Sequence, residues 1–135
     1  MKTAKVYVIP CSGIGKATAS VGREAAYRVV EDLLPETCDT LCLGLLTTGD
    51  EEARAEVRDN LVVAIDGCAK DCARKNVEAS GKAPDIAHRV QDFMKKHKGL
   101  KPEAVLDVGE GGHELAEVIA GEVAAEIEER LVGED

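Results

Sequence analysis

Residues Lys5 to Gly15 read KVYVIPCSGIG. Beyond Lys5 the run to Pro10 is apolar and mostly β-branched, the composition of a strand buried on both faces. The small-residue turn Cys11-Ser12-Gly13-Ile14-Gly15 ends it. From Lys16 to Leu34 the apolar residues Val21, Ala25, Ala26, Val29, Val30 and Leu33 recur at three and four residues, and Pro35 marks the stop. A strand, a glycine turn and an amphipathic helix are the first half of a βαβ unit.

The pattern repeats along the chain. Thr40 to Leu46 (TLCLGLL) is a second strand candidate, and Thr48-Gly49-Asp50 caps a short helix expected to run through about Arg58. Leu61 to Ile65 (LVVAI) is a third strand, ended by Asp66-Gly67, and Cys68 to Ala79 reads as a helix closed by Gly81 and Pro84. Ile86, His88 and Val90 alternate as in a fourth strand. The lysine-rich Lys95 to Lys101 suits an exposed loop or helix end. Leu115, Val118, Ile119, Val123, Ile127 and Leu131 form an apolar stripe on a long acidic helix, placed at 111–132 and expected to pack across the sheet. Strands alternating with helices at this spacing predict a three-layer, Rossmann-like α/β fold with a mainly parallel sheet of about four strands. No linker divides the sequence, so residues 1–135 are expected to form a single domain.

Composition narrows the function. The chain has 135 residues with 2% aromatics, 17 Lys and Arg against 26 Asp and Glu, and a formal net charge of −9. So few aromatics do not build a base-stacking platform. The charge has the wrong sign for tracking a nucleic-acid backbone or an anionic membrane. The apolar stretch ending at Pro10 is too short for a signal h-region or a membrane span, which predicts a cytoplasmic protein.

Five cysteines then need a role. In a reducing compartment, clustered cysteines point to metal binding or thiol chemistry, and an odd count does not suit a fully disulfide-paired framework. Cys68 and Cys72, four apart at the start of the expected helix, would share one face in its first turn, where the helix dipole favours thiolate. Cys11 stands just past the first strand, at the strand end where open parallel sheets bind ligands. Cys42 offers a fourth thiolate. Four thiolates around one divalent ion make a closed site suited to zinc, with iron as the alternative, in a structural or sensing role. Buried cysteines that merely fill the core are the plain alternative. Spacing alone also allows the set Cys38, Cys42, Cys68 and Cys72.

Three motifs in order, Pro10-Cys11-Ser12-Gly13-Ile14-Gly15, Leu41-Cys42-Leu43 and Ile65-Asp66-Gly67-Cys68 with Cys72-Ala73-Arg74-Lys75, resemble the DGC-domain family of zinc-binding proteins. The name is taken from Asp-Gly-Cys. The resemblance runs from about Val6 to the Phe93 region. It implies four chelating cysteines, at Cys11, Cys42, Cys68 and Cys72, and leaves Cys38 as an extra thiol. It implies no particular reaction.

Other likenesses of the first motif are weaker. Gly13-Ile14-Gly15-Lys16-Ala17-Thr18 is similar to the cofactor turn of short-chain dehydrogenases, but Val8 and Ile9 replace the required Thr-Gly. A Walker loop is excluded by Pro10 and Ala17. A cysteine after strand one with a glycine-rich turn also resembles the phosphocysteine site of sugar-phosphotransferase IIB components and low-molecular-weight tyrosine phosphatases. Backbone N–H groups of such a turn would cradle an oxyanion. The phosphatase arginine, six residues on, is Ala17 here, with Lys16 or Arg23 as substitutes. The alternative function is thus a cysteine-dependent enzyme or a phosphocysteine or thiol carrier using Cys11. His88 and His97 lack metal-ligand spacing to a cysteine, His113 after Gly111-Gly112 reads as an exposed helix start within reach of the crevice, and Asp66 reads as a turn or capping residue. In metal delivery or sensing, the acidic surface would meet a protein partner that the sequence does not identify.

Overall fold

Every residue of β1 (Val6–Pro10) is buried, as are all but the first of β3 (Leu61–Asp66), which is what continuous apolar runs require of central parallel strands. The structure, a computed structural model, describes residues 6–11, 16–41, 43–67 and 70–133. Between and after these strands lie α1 (Ala17–Tyr27), β2 (Cys38–Asp39), α2 (Leu43–Thr47) and α3 (Glu51–Asp59). They are followed by α4 (Cys72–Ala79), β4 (Ile86–Arg89), α5 (Val90–Lys96) and α6 (Gly109–Gly133). The sheet order is β2-β1-β3-β4 and every pairing is parallel. This is a Rossmann-like α/β fold, as the alternation predicts.

Side chains alternate across the sheet and divide the core in two. Val6, Val8, Val63 and Ile65 pack with Val21, Ala25 and Val29 from the first helical segment, Phe93 of α5, and the α6 stripe. Tyr7, Ile9, Val62 and Ala64 face the other way, onto Leu43, Leu46, Ala53, Val57, Ala73 and Val77. Helices therefore cover both faces. In α6, Leu115, Ile119, Val123 and Ile127 are fully buried. Among the described residues no helix is long and apolar enough to cross a membrane.

Several boundaries differ from expectation. The stretch Thr40–Leu46 is not a strand: β2 is only Cys38–Asp39, in register with Val6 and Tyr7, and residues from Leu43 onward are helical. Leu43 and Leu46 are buried three positions apart while Gly44 and Leu45 between them are exposed, a one-sided helical pattern hidden in an apolar run. The helix expected from Cys68 begins at Cys72. Val90 opens α5 rather than closing β4. The first helix is α-helical only to Tyr27 and continues as a π-helix over Arg28–Leu33, where the Leu34 N–H donates to the Val29 carbonyl at 2.8 Å. Asp50 caps α3 as expected, accepting from the Ala53 N–H at 2.9 Å.

Phe93, the sole phenylalanine, is 2% exposed and meets the His88 ring edge-on at 5.2 Å. Phe93→Ala is expected to lower stability by about 3–5 kcal/mol, read as a shift of the urea midpoint relative to the unaltered chain.

Candidate metal centre

From β1 the chain steps outward to β2 and then crosses back over β1 to β3, so its direction of winding switches between β1 and β3. The crevice beyond the carboxyl ends of two such strands is the usual ligand position in an open parallel sheet. Cys11 is the first residue past β1 and is 2% exposed. Its N–H donates to the Ile65 carbonyl at 2.9 Å, which holds it level with the end of β3. From α1, the Arg23 guanidinium donates to the Cys11 carbonyl at 3.5 Å and to Ser20 Oγ at 3.1 Å.

β3 leaves the sheet through buried Asp66 and Gly67. The Gly67 carbonyl accepts from the Thr18 hydroxyl, and from Gln91 Nε2 at 2.9 Å. A Cβ on Gly67 would lie 2.3 Å from Ala19 Cα and 2.4 Å from Ala19 N. Only glycine lets the chain pass this close to the start of α1.

Asp66 is the cap of α4. Its Oδ1 accepts from the Ala73 N–H at 2.7 Å and its Oδ2 from the Arg74 N–H at 3.1 Å, satisfying two donors at the helix start that have no intrahelical partner. Burial pushes this carboxyl above its ordinary value, against the lowering effect of the two N–H groups. Asp71, which immediately precedes α4, caps nothing with its side chain. Its backbone is left-handed (φ 53°, ψ 49°), and its buried carboxylate turns to Arg89, whose Nε lies 2.7 Å from Oδ1 and whose terminal nitrogen meets Oδ2. Arg74 adds an ion pair at 3.2 Å. The Arg89 guanidinium holds Asp71 below its ordinary value of 3.8. Asp66 thus ties the start of α4 back to the end of β3, and the Asp71–Arg89 pair fastens it to β4.

Of the expected ligands, Cys11 and Cys72 are described; Cys42 and Cys68 lie outside the described residues, as does the turn Ser12–Gly15. Cys72 is half-buried at the head of α4 and packs on the same apolar cluster as Leu41 and Leu43, the neighbours of Cys42. The expectation that Cys68 and Cys72 share one helix face falls on position 68, outside the described residues; α4 itself starts at Cys72, directly after left-handed Asp71. Cys38 is buried opposite Val6, at the amino end of β1. Cys11 lies five positions further along that strand direction, about 16 Å away at the strand rise. Among the described residues no three His, Cys, Asp or Glu side chains form a metal-binding group; the set expected from sequence needs positions 42 and 68. His88 and His113 pair instead with Glu126 and Glu24, at 2.6 and 2.7 Å. The Asp71–Arg89 pair and Gln91 escaped the sequence reading, since nothing local marks partners 18 and 24 residues apart.

A family model described as the DGC domain matches residues 7–111, well over half of the chain. The protein belongs to the DGC-domain family. Comparison with curated proteins and with solved structures gives no match.

Gly67→Ala is expected to lower stability by about 2–3 kcal/mol, because backbone rather than a flexible side chain must yield, and differential calorimetry will read it. Asp71 titrates below its ordinary value when folded, so its contribution is present above about pH 4 and lost as pH falls through that range. In Asp71→Asn, which keeps the shape and tolerates the left-handed backbone, acid unfolding should become less steep in a pH series of urea midpoints.

Proposed function

We propose that this DGC-domain protein holds one zinc ion through the thiolates of Cys11, Cys42, Cys68 and Cys72 at the carboxyl edge of its sheet, in the cytoplasm, in a structural, sensing or metal-handling role. The observation that carries the proposal is the loop closed by Asp66. It ties the head of α4, where Cys72 stands, to the end of β3, beside the strand end that Cys11 extends. The donor chemistry fits: soft thiolates suit zinc, and iron suits the same set. A bound divalent ion supplies a crosslink between segments distant in sequence, and so contributes to folding. The chain's own residues set the frame, with Gly67 allowing the close approach and Arg89 anchoring the loop to β4.

One observation favours a second reading, in which Cys11 is the nucleophile of an enzyme or carrier: the Arg23 guanidinium at its carbonyl. The burial of Cys11 counts against an accessible nucleophile. Alkylation at about pH 6 separates the two, since a low-pKa nucleophile labels fast and metal-bound thiolates are protected.

Protein purified without added metal is expected to carry about one equivalent of zinc or iron by elemental analysis; well under half an equivalent, with the thiols reduced, overturns the proposal. Cys38→Ser should keep that content, and Cys11→Ser and Cys72→Ser should lose most of it. A strong chelator should lower the thermal midpoint of the unaltered chain.

A further inference from the structure

The carbonyl of Gly67 is the last backbone group described before position 68, and two side chains from different helices hold it. The Thr18 hydroxyl donates to it from the start of α1, and Gln91 Nε2 donates to it at 2.9 Å from the first turn of α5. A peptide unit is planar, so the direction of a carbonyl also sets the course of the bond that follows it. Here that bond leads to Cys68. On the far side of position 68, Asp71 is held in turn by Arg89. Arg89 and Gln91 stand where β4 passes directly into α5, and the strand register sets Arg89 level with Asp66 at the end of β3. One short junction therefore grips the chain on both sides of position 68.

Gln91 is not fully employed by the fold. Its Oε1 is buried and meets no hydrogen-bond donor among the described residues. Buried side-chain acceptors are nearly always paired, and an unpaired one is a cost to folding. A glutamine kept for stability alone would have both ends of its amide satisfied. This one commits its donor to the carbonyl beside Cys68 and leaves its acceptor over. Resting on the four-thiolate reading above, we propose that Gln91 is a positioning residue of the metal centre. Together with Thr18 it fixes the Gly67 carbonyl, and so presets the approach of Cys68 to the ion without itself touching the metal. Groups that orient metal ligands from outside the coordination sphere typically change affinity by about 10–100-fold.

Gln91→Met, of similar length but with neither amide donor nor acceptor, tests this in the full chain. Zinc affinity, read by competition with a chromophoric chelator, should fall by about tenfold or more. The urea midpoint of the metal-free chain should stay near that of the unaltered protein, because the substitution also removes the unpaired acceptor. With cobalt as a spectroscopic probe, the thiolate-to-metal charge-transfer band should be weaker in the variant at equal bound metal. Thr18→Val, which acts on the same carbonyl from α1, should shift zinc affinity in the same direction. Equal zinc affinity in Gln91→Met and the unaltered chain overturns the proposal. So does a metal-free midpoint that falls in step with affinity, which assigns Gln91 to stability alone. Failure of the four-thiolate reading shows differently, as absence of zinc uptake by the unaltered chain, and takes this inference with it.

Discussion

The parallel pairing of β1 with β3 is the constraint on which the rest of the molecule rests. Five register pairs, from Val6↔Leu61 to Pro10↔Ile65, run the full length of β1. Parallel neighbours end at the same edge, so the segments that leave them emerge side by side, and Cys11 and Asp66 are brought level. The same pairing dictates the layers. Two central strands whose residues are buried alternately on both sides must be covered twice, and the chain does so with α1, α5 and α6 on one face and α2, α3 and α4 on the other.

The Asp-Gly-Cys sequence then divides its labour. Asp66 is committed to two backbone N–H groups of α4, and Gly67 to a backbone approach that no side chain permits. Two of the three residues are therefore explained by local mechanics. This differs from reading the aspartate as an acid or base. A carboxylate whose two oxygens are each engaged by a backbone N–H of α4 works as a rivet between β3 and that helix.

The central strands were legible because β1 and β3 are continuous apolar runs closed by turn residues, and α6 because its stripe holds helical spacing for several turns. β2 was not. Its two pairing residues, Cys38 and Asp39, carry almost no pattern, and the apolar run just after them satisfies strand and helix alike until burial shows Leu45 outside and Leu46 inside. The start of α4 was hidden for a different reason. Its capping carboxylate lies seven residues ahead of the first N–H it serves, beyond the spacing of an ordinary N-cap. The left-handed turn at Asp71 is stabilised by Arg89, a partner 18 positions later. At the site, residue types were readable and the framework around them was not, because that framework consists of long-range polar contacts.

Charge links these observations. Four thiolates around a divalent ion carry about −2 if all are ionised, an unfavourable addition to a chain already at −9. Guanidinium groups are nevertheless concentrated at this edge of the sheet. Arg23 reaches the Cys11 carbonyl, while Arg74 and Arg89 converge on Asp71 beside Cys72. Asp71 keeps its charge under the influence of Arg89 and Arg74, so the start of α4 remains pinned at neutral pH. On the proposed reading, an acidic protein can in this way hold an anionic centre at one edge of its sheet.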